Sequence, residues 1–248
     1  MINLDTLFIP IAMSPRPSRL ASLCASVLAL AASVAGAVDV STATPPMRIE
    51  DGSVQIGSRS VRLPAGDWTL VHVKDFRPVP TRDFDITTAW VVLLRDGRFG
   101  MAMQLSLPVA DLKKERQPPD NPCTTRDGVL RGDYSRGKSE MDCLAVFGHH
   151  DLQAILEQRS PRTARWLARR HVPRVDDGVE VTLAHRQGTM LGRVAFYFPA
   201  QDFASDDDAA AWAAAVRAAF EPLVERKATE AAVPALPAPA PTDPPPRP

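Results

Sequence analysis

The sequence predicts an α+β fold: an antiparallel-dominated sheet built from hairpins, a helical pair in the middle of the chain, and a C-terminal amphipathic helix packed on the sheet. Two observations lead to this expectation. Apolar residues recur mostly at the two-residue period of β-strands, and short turn sequences typical of hairpins separate several of these runs. Near the C-terminus the apolar period changes to that of a helix. Because most predicted strands have a hairpin neighbour, we expect an antiparallel sheet covered by helices.

The strongest strand signal is the segment 86–107, ITTAWVVLLRDGRFGMAMQLSL. Two long apolar runs flank Asp96-Gly97, a dipeptide that accepts the positive φ angles of a tight hairpin turn. Two shorter runs flank Gly57-Ser58 in the same way. Further strands are predicted over 143–148, 178–186 and 192–199.

The segment 67–76, DWTLVHVKDF, also reads as a strand. Simple alternation places Trp68, Leu70 and His72 on one face of this strand, and Val71 and Val73 on the other. His72 is therefore expected to point to the same side as the tryptophan.

Three helical segments are predicted. Segments 151–158 and 160–171 form two helical pieces that are separated at Ser160-Pro161, where serine is an N-cap candidate and proline suits the first helical position. Segment 205–227 begins with acidic residues, which complement the positive end of a helix dipole. Its apolar stripe is expected to pack against the sheet; it consists of Trp212, Val216, Phe220 and Leu223.

Residues 1–37 are predicted to be an export signal, with translation starting at Met13 and cleavage after Ala37. A basic start is followed by an apolar run over 20–34, and small residues precede the cleavage point. This run is shorter than the roughly 20 residues that span a bilayer, so no transmembrane segment is expected after cleavage. The alternatives are an uncleaved N-terminal anchor and a lipoprotein modified at Cys24.

The mature chain is predicted to consist of a loose leader over 38–52, a single α+β domain over 53–227, and a Pro/Ala-rich disordered tail over 228–248. The tail holds eight prolines in 21 residues, a composition that favours polyproline II or disorder over a packed core. Its function is open between an inert extension and a tether for an assembly partner.

Cys123 and Cys143 are predicted to form a structural disulfide. Cys24 would leave with the signal, and an even pair in an exported chain is normally oxidised. Their spacing, with 19 residues between them, matches neither a thiol-oxidoreductase motif nor a zinc site. Closing a loop of this length is expected to stabilise the fold by roughly 3 kcal/mol.

Basic and acidic side chains balance at 29 each, so no overall positive field predicts a nucleic-acid partner. The strongest local feature is basic, because six arginines and no acidic residue occur between Arg159 and Arg174. Arg162, Arg165 and Arg169 recur at i, i+3 and i+7, which places them on one face of the predicted helix. This face is a candidate contact for an anionic partner: a lipid head group, a cell-wall polymer or an acidic protein surface. The alternative is a solvated helix face without a ligand.

No motif predicts catalysis. The chain contains no G-x-S-x-G, G-x-G-x-x-G or Walker pattern. Its five histidines lack the close spacings typical of zinc sites, and the adjacent His149 and His150 would point in different directions. We therefore predict no catalytic residue, no metal ligand and no cofactor.

These observations predict an exported, periplasmic binding or accessory protein of the bacterial cell envelope that is not an enzyme. The alternative is a periplasmic hydrolase whose site is assembled from scattered residues such as His72, His149 and His185. The sequence makes no prediction of the oligomeric state.

Overall fold

A computed structural model describes residues 37–76, 86–108, 129–136, 140–187 and 190–236, and it confirms the predicted α+β class. The strands are β1 (Val38–Asp39), β2 (Met47–Ile49), β3 (Ser53–Ile56), β4 (Arg59–Arg62), β5 (Asp67–Phe76), β6 (Ile86–Arg95), β7 (Arg98–Pro108), β8 (Val129–Arg136), β9 (Glu140–His150), β10 (Gly178–Gln187), β11 (Met190–Pro199) and β12 (Glu230–Ala232). The helices are α1 (Leu152–Arg159), α2 (Pro161–Arg169) and α3 (Asp206–Val224), and a 3-10 turn, Ala200–Asp202, precedes α3.

The strands form two sheets. The larger sheet has eight strands in the order β2-β5-β6-β7-β11-β10-β9-β8, and every neighbouring pair is antiparallel. The smaller sheet has the order β1-β3-β4-β12, in which only the β3–β4 pair is antiparallel. Consecutive strands form the antiparallel pairs β5–β6, β6–β7, β8–β9, β9–β10 and β10–β11, with α1 and α2 between β9 and β10, whereas β2–β5 and β7–β11 are antiparallel pairs of strands that are not consecutive in the chain.

Two predicted turns are confirmed. Asp96 and Gly97 join β6 to β7 with φ angles of 51° and 75°. Gly57 stands between β3 and β4 with a φ of 58°. Asn, Asp and Gly tolerate this left-handed region better than other residues, which explains why these dipeptides mark the turns.

Both faces of the larger sheet are covered. On one face α3 and the smaller sheet pack over the main core, where Trp212 of α3 meets Phe196 and Phe198 of β11 edge-to-face at 5.0 Å and 4.8 Å. On the other face α1 and α2 cover a second core, in which Trp90 stacks on Tyr197 at 5.5 Å. The sheet therefore has a helical layer on each side.

The helical pair has the N-caps that the sequence predicts, whereas α1 ends one residue later and α2 two residues earlier than the predicted segments 151–158 and 160–171. Asp151 is the N-cap of α1, and its carboxylate accepts the backbone N–H of Ala154 at 2.9 Å. Ser160 ends α1 and is also the N-cap of α2, where Pro161 takes the first helical position. Because Ser160 is shared, no loop separates the two helices, and α2 starts at a fixed place on the sheet.

The observed ends of the domain differ from the predicted ones. The segment 38–52, expected to be a loose leader, contains β1 and β2, which pair with β3 and β5. Burial of Val40 and Ile49 in the main core accounts for this order. The expected tail begins with β12, which pairs with β4, and Val233 is buried behind it. Residues 237–248 of the tail lie outside the described residues.

Among the residues that the structure describes, no helix combines the length and the apolar content that crossing a membrane requires.

Candidate anion-binding groove

The predicted basic face of α2 borders a groove on the surface of the domain. The helix turns Thr163, Ala164, Trp166 and Leu167 toward the sheet, where all four are buried. The arginines at the intervening positions remain exposed. The groove has a volume of about 310 Å³, and its lining residues come from α2, from β5 and from the leader: Pro45, Pro46, Val71, His72, Val73, Arg162, Arg165, Trp166 and Arg169. The structure therefore brings all three predicted arginines to one place.

A β-bulge in β5 places His72 in this groove. Leu70 pairs with Val91, but the next regular pair is His72 with Trp90, so one extra residue is inserted between them. The insertion reverses the alternation, and the prediction that His72 shares a face with Trp68 and Leu70 is wrong. Trp68 and Leu70 point into the main core, whereas His72 lies on the opposite face, beside α2.

The groove is cationic. None of its nine lining residues is acidic. Within the described part of the chain, Arg162, Arg165 and Arg169 have neither an ion pair nor a side-chain hydrogen bond. Burial lowers the pKa of His72, and the positive charges of Arg162 and Lys74 lower it further. The imidazole is therefore mainly neutral at neutral pH, because a proton there would add to an existing positive field.

Two nitrogen atoms in the groove residues lack hydrogen bonds. Nδ1 of His72 and Nε1 of Trp166 are buried and have no partner within the described residues. The indole Nε1 always carries a hydrogen, and Nδ1 carries one in one neutral tautomer and in the protonated ring. Trp166 is only 3% exposed, and an unpaired buried donor costs about 1–3 kcal/mol. Among the described residues, the groove lining thus includes two residues with a buried nitrogen atom that lacks a partner, together with the three unpaired arginines.

A second set of arginines on the same sheet face is paired. Glu180 of β10 is 1% exposed. Its Oε1 lies 3.5 Å from Nη2 of Arg159 and 3.4 Å from Nη2 of Arg193, and it accepts the Thr182 hydroxyl at 3.1 Å. Arg159 also donates to the hydroxyl of Tyr197 at 3.4 Å, and burial raises the pKa of that hydroxyl well above its usual range. One carboxylate thus serves two guanidinium groups, and Nε of Arg193 is buried without a hydrogen-bond partner among the described residues.

The structure does not bring together the three histidines considered for a scattered hydrolase site. His72 lies on the α2 side of the larger sheet. His149 is exposed between Asp177 and Asp206, at the start of α3. His185 lies beside Glu225, at the end of α3. A helix of 19 residues is about 28 Å long, so His149 and His185 belong to separate sites.

The predicted disulfide stays a prediction. Cys143 of β9 is fully buried against Ala145, Phe147 and Ala184. Cys123 lies outside the described residues. The predicted signal peptide also lies outside them, apart from Ala37.

Comparison with known proteins adds no further constraint: no family model matches the chain, and no curated protein or solved structure has a significant match to it.

Proposed function

We propose that the protein is an exported binding protein of the bacterial cell envelope that holds a phosphate-bearing envelope component in the groove between α2 and β5. One observation carries this proposal: three arginines without partners among the described residues line a single groove that has no acidic lining residue. The predicted export signal supports the envelope as the place of action. We further propose that the protein acts by binding and not by catalysis.

The unpaired charges favour a ligand for a physical reason. Like charges at i and i+3 or i+4 of a helix repel and destabilise it by a few tenths of a kcal/mol per pair. Arg162, Arg165 and Arg169 form two such pairs, and no described carboxylate offsets them. An oxyanion in the groove would remove this repulsion and would accept hydrogen bonds from the guanidinium groups.

The spacing of the arginines favours a ligand with several oxygen atoms. At about 1.5 Å per residue, the three Cα atoms extend over roughly 10 Å along the helix. Each guanidinium presents a planar fork of N–H donors that matches the oxygens of a phosphate. A guanidinium is also more weakly hydrated than the ammonium group of lysine, so arginine is better suited to binding phosphate. The groove of about 310 Å³ corresponds to roughly ten water molecules at about 30 Å³ each. A phosphorylated head group or sugar is a ligand class of this order of size.

Sulfate tests the groove chemistry directly, because it is a dianion whose charge does not change near neutral pH. We expect sulfate to shift the indole N–H resonance of Trp166 in a saturable titration. Substituting Arg162, Arg165 and Arg169 together by alanine should weaken sulfate binding by at least about tenfold, which corresponds to about 1.4 kcal/mol. Alanine keeps the helix propensity of α2 high, so the variant should remain folded.

A charge-matched control is available elsewhere on the surface. Arg48, Arg62 and Arg98 are exposed, and replacing them by alanine changes the net charge by the same amount. Sulfate affinity should be unchanged in this control. Vesicles of phosphatidylglycerol, compared with vesicles of phosphatidylcholine alone, then show whether a lipid head group can supply the anion. Equal loss of sulfate binding in the two triple variants would overturn the proposal, because it would indicate a nonspecific charge effect.

A further inference from the structure

A second group of chemically active side chains lies on the opposite face of the larger sheet, at the end of α3. Asp142 of β9, His185 of β10 and Glu225, the C-cap of α3, each place one candidate ligand atom within 4.8 Å of the other two. We propose that these three side chains bind a divalent transition-metal ion of the Zn²⁺ type. A mixed nitrogen and oxygen set of this kind suits zinc and its neighbours, whereas calcium and magnesium take oxygen ligands.

The backbone holds the three residues in place. Asp142 and His185 are direct cross-strand partners in the β9–β10 pair, so their Cβ atoms are about 4.5–5.5 Å apart. On the other side His185 is paired with Gly192 of β11. A Cβ atom at Gly192 would lie 2.8 Å from Cβ of Val224 and 2.9 Å from its carbonyl oxygen. The missing side chain therefore allows the last turn of α3 to approach the sheet closely, which brings Glu225 to His185.

Both carboxylates face the same ring nitrogen. Nδ1 of His185 lies 2.5 Å from Oδ1 of Asp142 and 4.0 Å from Oε1 of Glu225. His149 also has two carboxylate neighbours, but they lie at different ring nitrogens: Asp177 is 3.3 Å from its Nδ1, and Asp206 is 3.6 Å from its Nε2. Carboxylates on opposite ring nitrogens cannot share one ion with the imidazole. Convergence on one nitrogen distinguishes the His185 group.

The distances fit a metal after small movements. Zinc binds imidazole nitrogen and carboxylate oxygen at about 2.0–2.2 Å in a tetrahedron, which separates the ligand atoms by roughly 3.4 Å. The 2.5 Å contact between His185 and Asp142 must therefore lengthen, and the 4.0 Å separation from Glu225 must shorten, each by less than about 1 Å. The separation between the Asp142 and Glu225 oxygens, which is at most 4.8 Å, must shorten by at most about 1.4 Å. The metal would replace the hydrogen bond between His185 and Asp142. The side chains of Asp142 and Glu225 are 36% and 17% exposed, which leaves them room to turn.

Lys227 is the competing cation. Its Nζ lies 2.7 Å from Oε2 of Glu225, so an ion-pair cluster without a metal is the opposing explanation. The lysine side chain is 72% exposed, and exposed ion pairs contribute only about 0–1 kcal/mol. It also contacts the oxygen of Glu225 that is not the one nearest His185. The negative end of the α3 dipole favours a cation at the same position. Three protein ligands would leave one position of the tetrahedron open to water.

Calorimetric titration of the purified protein with Zn²⁺ alone tests the site. We expect one equivalent to bind and to raise the thermal unfolding midpoint. His185→Ala and Glu225→Gln should each weaken this binding by at least about tenfold, since even loss of a residue that only supports a ligand costs 10- to 100-fold. Co²⁺ should show the visible absorption of a tetrahedral site in the parent protein and lose it in Glu225→Gln.

His149→Ala is the matched control, because it removes a histidine that also has two aspartate neighbours. It should leave the affinity and the stoichiometry unchanged. Glu225→Gln keeps the test decisive even where His185→Ala fails to fold, since Glu225 is partly exposed at a helix end. The proposal is overturned by Zn²⁺ binding that survives in Glu225→Gln, by binding that disappears in His149→Ala, or by the absence of stoichiometric binding to the parent protein.

Discussion

Two groups of arginines lie on the same side of the larger sheet, and they differ in whether a carboxylate of the protein pairs with them. Arg159, at the end of α1, and Arg193, in β11, share the buried carboxylate of Glu180. Arg162, only three residues after Arg159, lines the groove with Arg165 and Arg169. None of the three groove arginines has a charged partner among the described residues.

Pairing with a carboxylate of the protein determines whether an arginine is available to bind a ligand. A buried charge must be paired within the protein, since leaving it unpaired costs several kcal/mol. Glu180 supplies the carboxylate that pairs with both Arg159 and Arg193, so we expect this network to contribute to the fold. An exposed arginine needs no partner for stability, so its charge remains available for a ligand. We therefore expect substitutions in the paired group to change the stability of the fold, and substitutions in the unpaired group to change ligand binding.

The largest expected effect comes from breaking the paired group. Glu180→Gln keeps the size of the side chain but removes the negative charge that Arg159 and Arg193 share. Loss of one partner from a buried ion pair costs about 3–5 kcal/mol, so the free energy of unfolding in urea should fall by this amount. Sulfate binding by the folded variant should be unchanged, because Glu180 does not line the groove.

Glu157 provides the control for this variant. It is exposed on α1 and accepts a hydrogen bond from Gln153 at 2.9 Å. Glu157→Gln should change the free energy of unfolding by less than about 0.5 kcal/mol, as is usual for surface substitutions. A Glu180→Gln variant that is as stable as Glu157→Gln would show that the buried carboxylate does not hold the two arginines.

The second prediction converts the unpaired group into a paired one. His72→Glu introduces a carboxylate beside Arg162, in the position that a bound anion would otherwise take. Sulfate affinity should fall about tenfold or more, equivalent to about 1.4 kcal/mol. Stability should change by less than about 1 kcal/mol, because an ion pair near the surface contributes little. The Trp166 indole titration and urea unfolding measure the two quantities in parallel.

His72→Gln separates charge from shape in this experiment. It removes the imidazole without adding a negative charge, so its sulfate affinity should remain well above that of His72→Glu. Equal affinities in the two variants would mean that the imidazole itself, and not the balance of charge, controls the groove. That outcome would weaken the contrast between the two arginine groups.

Most of the fold follows from local signals in the sequence. Asp96-Gly97 and Gly57 mark turns whose backbone requires positive φ angles, and Ser160-Pro161 marks the junction of two helices. Such signals depend on residues that are adjacent in the chain. The packing of the leader and of the first tail residues could not be predicted in this way, since β1 and β12 are short and depend on distant partners, β3 and β4.

The candidate sites were predictable only in part. The three arginines share a face because they lie on one helix, and helical spacing is visible in a sequence. His72 lies beside them because of a β-bulge in β5. The sequence of residues 67–76 does not indicate where this bulge occurs. Asp142, His185 and Glu225 are separated by about 40 residues each, so only strand pairing and helix packing bring them together. Local patterns reveal local geometry, and sites built from several elements need the tertiary structure.

The smallest expected effect is a pH dependence that sharpens the same contrast, because His72 is the groove residue whose ordinary pKa lies closest to neutral pH. Burial, followed by the charges of Arg162 and Lys74, lowers its pKa, and Arg165 and Arg169 face it from the same helix. Between this lowered value and the ordinary value of about 6.5, the unfolded chain binds more protons than the folded one. The contribution of His72 to stability is therefore complete above about pH 6.5 and declines as the pH falls through this window.

A bound anion favours the protonated ring, so sulfate affinity should rise as the pH falls toward the lowered pKa of His72. The rise should stay below about tenfold if the pKa changes by less than one unit. Sulfate titrations about one pH unit above and below 6.5 measure it, and His72→Gln should abolish it. A pH dependence that persists in His72→Gln would assign the effect to another group.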